Sequence, residues 1–152
     1  MRNLRRVLAT TTVVAAVALG GSACTPDTTR GRVEHDVPLT FDNAYSTSEQ
    51  LQGRPPVKPH VTRTECHSSI NTQQDSGPGS WDCQLTYTVR GKKESADILV
   101  LVDSLGCYQA LGTDNRNAMI LDRSTGARIP DPKAGFDGCY DVYDGRTNVS
   151  KK

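Results

Sequence analysis

The clearest pattern along the chain is a strict two-residue alternation. Trp81, Cys83, Leu85, Tyr87 and Val89 are separated by Asp82, Gln84, Thr86 and Thr88. Successive side chains of a strand point to opposite faces, so this run predicts a strand with one buried and one wet face. Arg90-Gly91-Lys92-Lys93 then reads as a charged hairpin turn. The next run, residues 96–102, is apolar except at Asp97. That is the pattern of a central strand covered on both faces. Upstream, residues 61 to about 68 supply a partner strand. Residues 71–80 between them form a polar stretch with Gly and Pro, expected as a surface loop. Downstream, residues 118–121 and 127–129 flank Asp122-Arg123-Ser124-Thr125-Gly126, which predicts a second hairpin. From Pro130 onward no period is visible, and the segment is expected to be irregular with a polar tail at 146–152.

The period changes before the first strand. Phe41, Ala44, Tyr45 and Leu51 fall roughly on one helical face, and Gly53 followed by Pro55-Pro56 is a strong stop. Ser46-Thr47-Ser48-Glu49 offers a later start as a capping box. Residues 25–38 are polar and aperiodic, which predicts a flexible tether. The expected architecture is α+β, with one N-terminal helix on a small antiparallel sheet of four or five strands, spanning residues 39–145.

The first 23 residues belong to a different kind of segment. Arg2, Arg5 and Arg6 precede thirteen uncharged residues, 7–19, and then Gly20-Gly21-Ser22-Ala23. A basic start, a short apolar run and a small-residue exit are the parts of a secretory signal. The apolar run is short of the ~20 residues that a membrane span needs. Of 18 basic residues, three lie in this segment, leaving 15 against 17 acidic ones and a net charge of −2 beyond it. No basic stripe suggests nucleic acid as a partner.

The chain holds five cysteines, Cys24, Cys66, Cys83, Cys107 and Cys139. An odd thiol in an exported chain needs an explanation. Gly21-Ser22-Ala23-Cys24 resembles the lipobox of bacterial lipoproteins, departing from it at Gly21, where Leu is usual. The resemblance covers residues 1–24. It implies cleavage before Cys24, a diacylglyceryl group on its thiol and an acyl chain, commonly palmitate, on the new N-terminus. It also implies a lipid-anchored position on the extracytoplasmic face of the cell membrane. Ordinary signal peptidase would accept the same site and leave a free thiol. Composition and cysteine placement beyond the signal resemble those of actinobacterial lipoproteins, a likeness that carries no activity.

Four cysteines remain. Cys83 is on the apolar face of its strand and Cys66 near the end of the neighbouring one, which favours Cys66–Cys83 and leaves Cys107–Cys139. The similar segments Gly106-Cys107-Tyr108 and Gly138-Cys139-Tyr140 suit two turns brought together. No Cys-x-x-Cys pair and no zinc spacing is present, so a structural role is expected. Each bridge contributes ~3 kcal/mol in the chain-entropy account. That is a large part of the ~5–15 kcal/mol by which a domain is stable.

Candidate chemistry is sparse. His35, His60 and His67 stand in no hydrolase or metalloprotease motif. Asp131, Asp137, Asp141 and Asp144 cluster and could suggest calcium, yet the Asp-x-Asp-x-Asp-Gly order of an EF-hand is absent, and solvated turns explain them better than calcium does. Phe136, Tyr140 and Tyr143, with Tyr108, either pack on the disulfides or form an exposed binding patch. Asn148-Val149-Ser150 is a formal glycosylation sequon. The expectation is a binding or accessory module without cofactor or metal, meeting a protein or an envelope polymer. A hydrolase with a dispersed site, or an inhibitor presenting loop 71–80, are the alternatives.

Overall fold

The computed structural model describes residues 28–71, 73–114 and 117–140. The first element, α1, is a 22-residue helix, Arg30–Leu51. Thr29 caps it, with an extended backbone and a side-chain oxygen that accepts from Arg32 N–H. Val33, Val37, Phe41, Ala44, Tyr45 and Ser48 recur at three- and four-residue spacing and are buried. Residues 30–38 are therefore helix, and the tether expected there is corrected: Val33 and Val37 are wholly buried, and the domain begins at Thr28 rather than 39. Charged residues between the valines hid the period. Pro38 lies inside the helix and removes one donor without ending it. The stop is as expected. Gly53 takes a positive φ of 71°, its N–H donates to Gln50 and that of Arg54 to Glu49, which is the Schellman arrangement.

Five antiparallel strands form the main sheet: β1 (His60–Ser68), β2 (Gly79–Val89), β3 (Lys92–Val102), β4 (Cys107–Gly112) and β7 (Gly135–Cys139), in that spatial order. Between β4 and β7 in sequence, β5 (Met119–Leu121) and β6 (Arg128–Pro130) pair as a separate two-stranded sheet. The second hairpin is thus present but outside the main sheet, docked on the helix end where Arg123 N–H donates to Leu51 C=O. Residues 131–140, the described part of the region after Pro130, are not irregular as expected, and the tail at 146–152 lies outside the described residues. The described part holds β7, whose two glycines had masked its alternation, and Tyr140 beyond it is buried.

The register places Cys66 opposite Cys83 and Cys107 opposite Cys139, and both pairs are disulfides, with Cα separations of 4.1 and 3.8 Å. The fold is α+β with the two expected bridges. One face of the sheet carries Trp81, Leu85, Ile98, Val100, Tyr108, Ala110 and Phe136, and α1 covers it. The other face is open. On it β3 presents Leu99, half-buried, and Leu101, exposed, so that strand is covered on one face only. Gly138 faces the helix because nothing larger fits: a Cβ there would lie 2.7 Å from the Tyr108 hydroxyl.

The two ends of the sheet differ. One holds Thr28, the 69–78 loop, the 103–106 turn and Tyr140. The other holds the helix C-terminus, the tight Arg90-Gly91 turn and β5–β6. They are called the Thr28 end and the Arg90 end below.

Candidate functional site

The open face is built by alternation plus register. Cys66 and Cys83 point into the core, so their neighbours point out, and the pairing that joins the cysteines also sets Glu65 beside Gln84 and His67 beside Asp82. The next strand adds Asp97 beside Gln84 and Leu99 beside Asp82. Glu65, His67, Asp82, Gln84 and Asp97 line a groove of about 490 Å³, to which Arg30 and Thr113 also contribute. Its walls are set by bonds within the sheet. Gln84 Nε2 donates to Asp97 Oδ1 at 3.0 Å, and both the N–H and the hydroxyl of Thr113 donate to the Asp97 carbonyl. Arg63 pairs with Glu65 at the rim, and Arg30 with Asp75 at 2.6 Å. Chemically the groove offers carboxylates, an amide, an imidazole and a hydroxyl, a set that hydrogen-bonds a polar ligand. Beside it, Leu99 packs opposite Leu111, and Leu101 lies opposite Gln109, ahead of the Cys107–Cys139 bridge.

One histidine lies on α1 and two lie at opposite ends of β1. His35 is on α1, its Nδ1 2.6 Å from Asp36 Oδ1. His60 begins β1 at the Arg90 end, and His67 lies near the Thr28 end opposite Asp82. No hydrogen bond joins His67 to Asp82 or to a hydroxyl among the described residues. Near His60, burial pushes the Asp42 carboxyl up, opposed by the charges of Lys58 and His60.

Of the two readings of the aromatic residues, packing is the favoured one, and the exposed patch does not hold for Phe136 and Tyr140. Phe136 and Tyr140 are buried, not exposed. Phe136 alternates onto the covered face and meets Phe41 at a 6.0 Å centroid distance, while Tyr140 lies 5.4 Å from the Tyr108 ring. The Tyr108 hydroxyl is bonded to Thr40 Oγ1 at 2.7 Å and donates to the Asp36 carbonyl at 3.2 Å. The Tyr140 hydroxyl is buried without a hydrogen-bond partner among the described residues, and burial pushes its phenol well up. Tyr143 lies outside the described residues, as do Cys24, Asp141, Asp144 and Asn148. The acidic cluster is not assembled as a metal site among the described residues. Asp131 is buried and accepts from Lys133 N–H, closing a turn, whereas Asp137 stands exposed on β7. The 71–80 loop ends earlier than expected because β2 starts at Gly79, and it is pinned to the helix by the Thr29–Ser76 bridge.

The groove residues Glu65, Asp82, Gln84, Asp97 and Thr113 were not singled out from sequence. The signal was nonetheless present: accepting Cys66–Cys83 as a cross-strand pair also pairs their flanking residues. No protein family model matches the chain, and neither does any curated protein or solved structure. Among the described residues no helix is long and apolar enough to cross a membrane.

Proposed function

We propose that the protein is a bacterial envelope lipoprotein, anchored through Cys24 on the extracytoplasmic face of the cell membrane, whose domain binds a protein segment or envelope polymer without catalysing a reaction. One observation carries the anchor. Cys66, Cys83, Cys107 and Cys139 are paired with one another, so Cys24 has no cysteine left in the chain to bridge to. It stands directly after the small-residue exit of a signal-like segment, where a thioether to lipid accounts for it. Two chains or more make such anchoring stable. The binding reading is supported by the open groove, whose polar groups are held in place by strand pairing and face solvent.

The test of the anchor is Cys24→Ser, which should move the protein from the membrane fraction to the medium. An unmodified Cys24 in the mass spectrum of the wild-type protein would overturn it. A second reading, a hydrolase, is favoured by His67 standing opposite Asp82 in the groove. Turnover separates the two: hydrolysis of ester, peptide or glycoside substrates by the wild-type protein that is abolished in folded His67→Asn puts the enzyme first, and retention of a partner with no turnover supports binding.

A further inference from the structure

The chain enters the fold almost immediately after Cys24. Thr28 is buried and its carbonyl accepts from Gly77 N–H at 2.8 Å. Thr29 bridges to Ser76, and Arg30 N–H donates to the Asp75 carbonyl at 2.9 Å while its guanidinium pairs with the Asp75 carboxylate. Four residue steps separate Cys24 from Thr28, and four steps span about 14 Å at full extension. A tether reaching residue 38 would have allowed roughly 50 Å. The polar layer of a bilayer takes up roughly 5–7 Å of that reach on each side. A lipid on Cys24 therefore holds the Thr28 end within about 10 Å of the surface, whatever path residues 25–27 take.

The same end carries an independent mark. Ile70 in the 69–78 loop is 83% exposed and Leu105 in the 103–106 turn is 68% exposed, the two most exposed large hydrophobic residues among those described. Carboxylates beside them are engaged within the protein: Asp75 with Arg30, and Asp103 as acceptor from the N–H groups of Leu105 and Cys107 at 2.8 and 2.9 Å. The Asp103 bonds also fix the turn that presents Leu105. The Arg90 end carries Arg54, Arg90, Lys92 and Lys93, and its apolar residues Met119 and Leu121 are less exposed, at 45% each. Aliphatic side chains on rigid loop tips, held within reach of lipid, suit the boundary between headgroups and acyl chains.

We infer that the Thr28 end is the membrane-contacting face of the domain, with Ile70 and Leu105 seated in the interfacial layer of the lipid surface that carries the anchor; this rests on lipidation of Cys24. The strands then stand away from the membrane, and the open groove faces sideways along it.

The lipidated full-length protein, purified from membranes and reconstituted into vesicles of lipids brominated near the top of the acyl chains, tests this. Ile70→Trp, Leu105→Trp and, at the opposite end, Lys92→Trp are compared, with the unsubstituted protein supplying the background of buried Trp81. About twofold quenching at positions 70 and 105, with none at 92, is expected for side chains at the acyl boundary. Equal quenching at all three positions in protein whose Cys24 is shown by mass spectrometry to be lipidated would overturn the orientation alone. Unmodified Cys24 would overturn the anchor and the orientation with it. Amide exchange of the unsubstituted lipidated protein gives a second reading, in which vesicles should slow exchange in loops 69–78 and 103–106. Unchanged exchange in both would refute the contact.

Discussion

Replacing Glu49 by Gln should destabilise the domain, and should do so only while the carboxylate is ionised. The Glu49 side chain is 3% exposed on the last turn of α1. Arg54 donates through Nη2 to Oε1 at 2.5 Å and through Nε to Oε2 at 2.9 Å, and Arg90 donates to Oε2 at 2.6 Å. One buried charge thus joins the helix end, the segment after it and the β2–β3 turn. Bonds of this kind to a charged group contribute about 1.5–3 kcal/mol each. The guanidinium side chains are 42% and 50% exposed, so they regain water when the charge is removed. Glutamine also keeps one acceptor oxygen. The net loss is therefore about 2–3 kcal/mol, or about 10 °C in melting temperature for a domain of this size.

The hydrogen bonds from Arg54 hold the Glu49 carboxyl below the ordinary glutamate value near 4.5, against the opposing effect of burial, and Arg90 adds to the depression. A folded-state value below the unfolded one stabilises above the unfolded value, and the gain disappears as pH falls through the folded one. Melting curves of wild type and Glu49→Gln, followed by circular dichroism, should therefore differ fully at neutral pH and converge in acid. Equal melting temperatures at neutral pH would refute the reasoning, as would a gap that stays constant down to about pH 2.

The neighbouring tyrosines Tyr108 and Tyr140 should respond oppositely to loss of the hydroxyl. Tyr108→Phe breaks bonds to Thr40 and Asp36 and should lower stability by about 1 kcal/mol, while Tyr140→Phe removes a buried group without a hydrogen-bond partner among the described residues and should leave stability equal or higher; urea titration of both checks the sign. Gly138→Ala should destabilise by about 1–3 kcal/mol through the clash with Tyr108, and Tyr108→Phe in the same chain should recover part of that loss. Val37→Ala, at a position expected from sequence to lie in a tether, should cost about 2 kcal/mol in the same titration. A neutral result would mean that the first turns of α1 do not pack on the sheet.

How far the fold was legible depended on whether a local period stood clear of its neighbours. The alternation of residues 81–89 names its own core face, and the bridges followed from it because Cys83 lies on that face with Cys66 one strand away. The helix start was obscured for a physical reason. Val33 and Val37 have the right spacing, but the charged and polar residues Arg30, Arg32, Glu34, His35 and Asp36 surround them in sequence, and Pro38 mimics a break. Strand β7 was hidden because a five-residue strand with two glycines shows only one large apolar residue, Phe136. The run of residues 96–102 overstated its burial, since Leu99 and Leu101 face outward on an uncovered sheet. The groove was the least legible part. Its residues come from three strands and from the segment after β4, and only register brings them into adjacent rows.

The two disulfides also decide what a protease can accomplish. Cys66–Cys83 closes the base of the long connection from β1 to β2, and Cys107–Cys139 closes the excursion from β4 to β7 that carries β5 and β6. The other two links of the main sheet are tight turns at residues 90–91 and 103–106. Exposed loops are where nicking concentrates, and here the two long links of the main sheet are each spanned by a covalent bond between paired strands. A cut within either leaves no fragment free to depart. The clipped molecule keeps its strands in register and runs as one species until the bridges are reduced, so that in an extracellular setting damage to the backbone and loss of the fold become separate events.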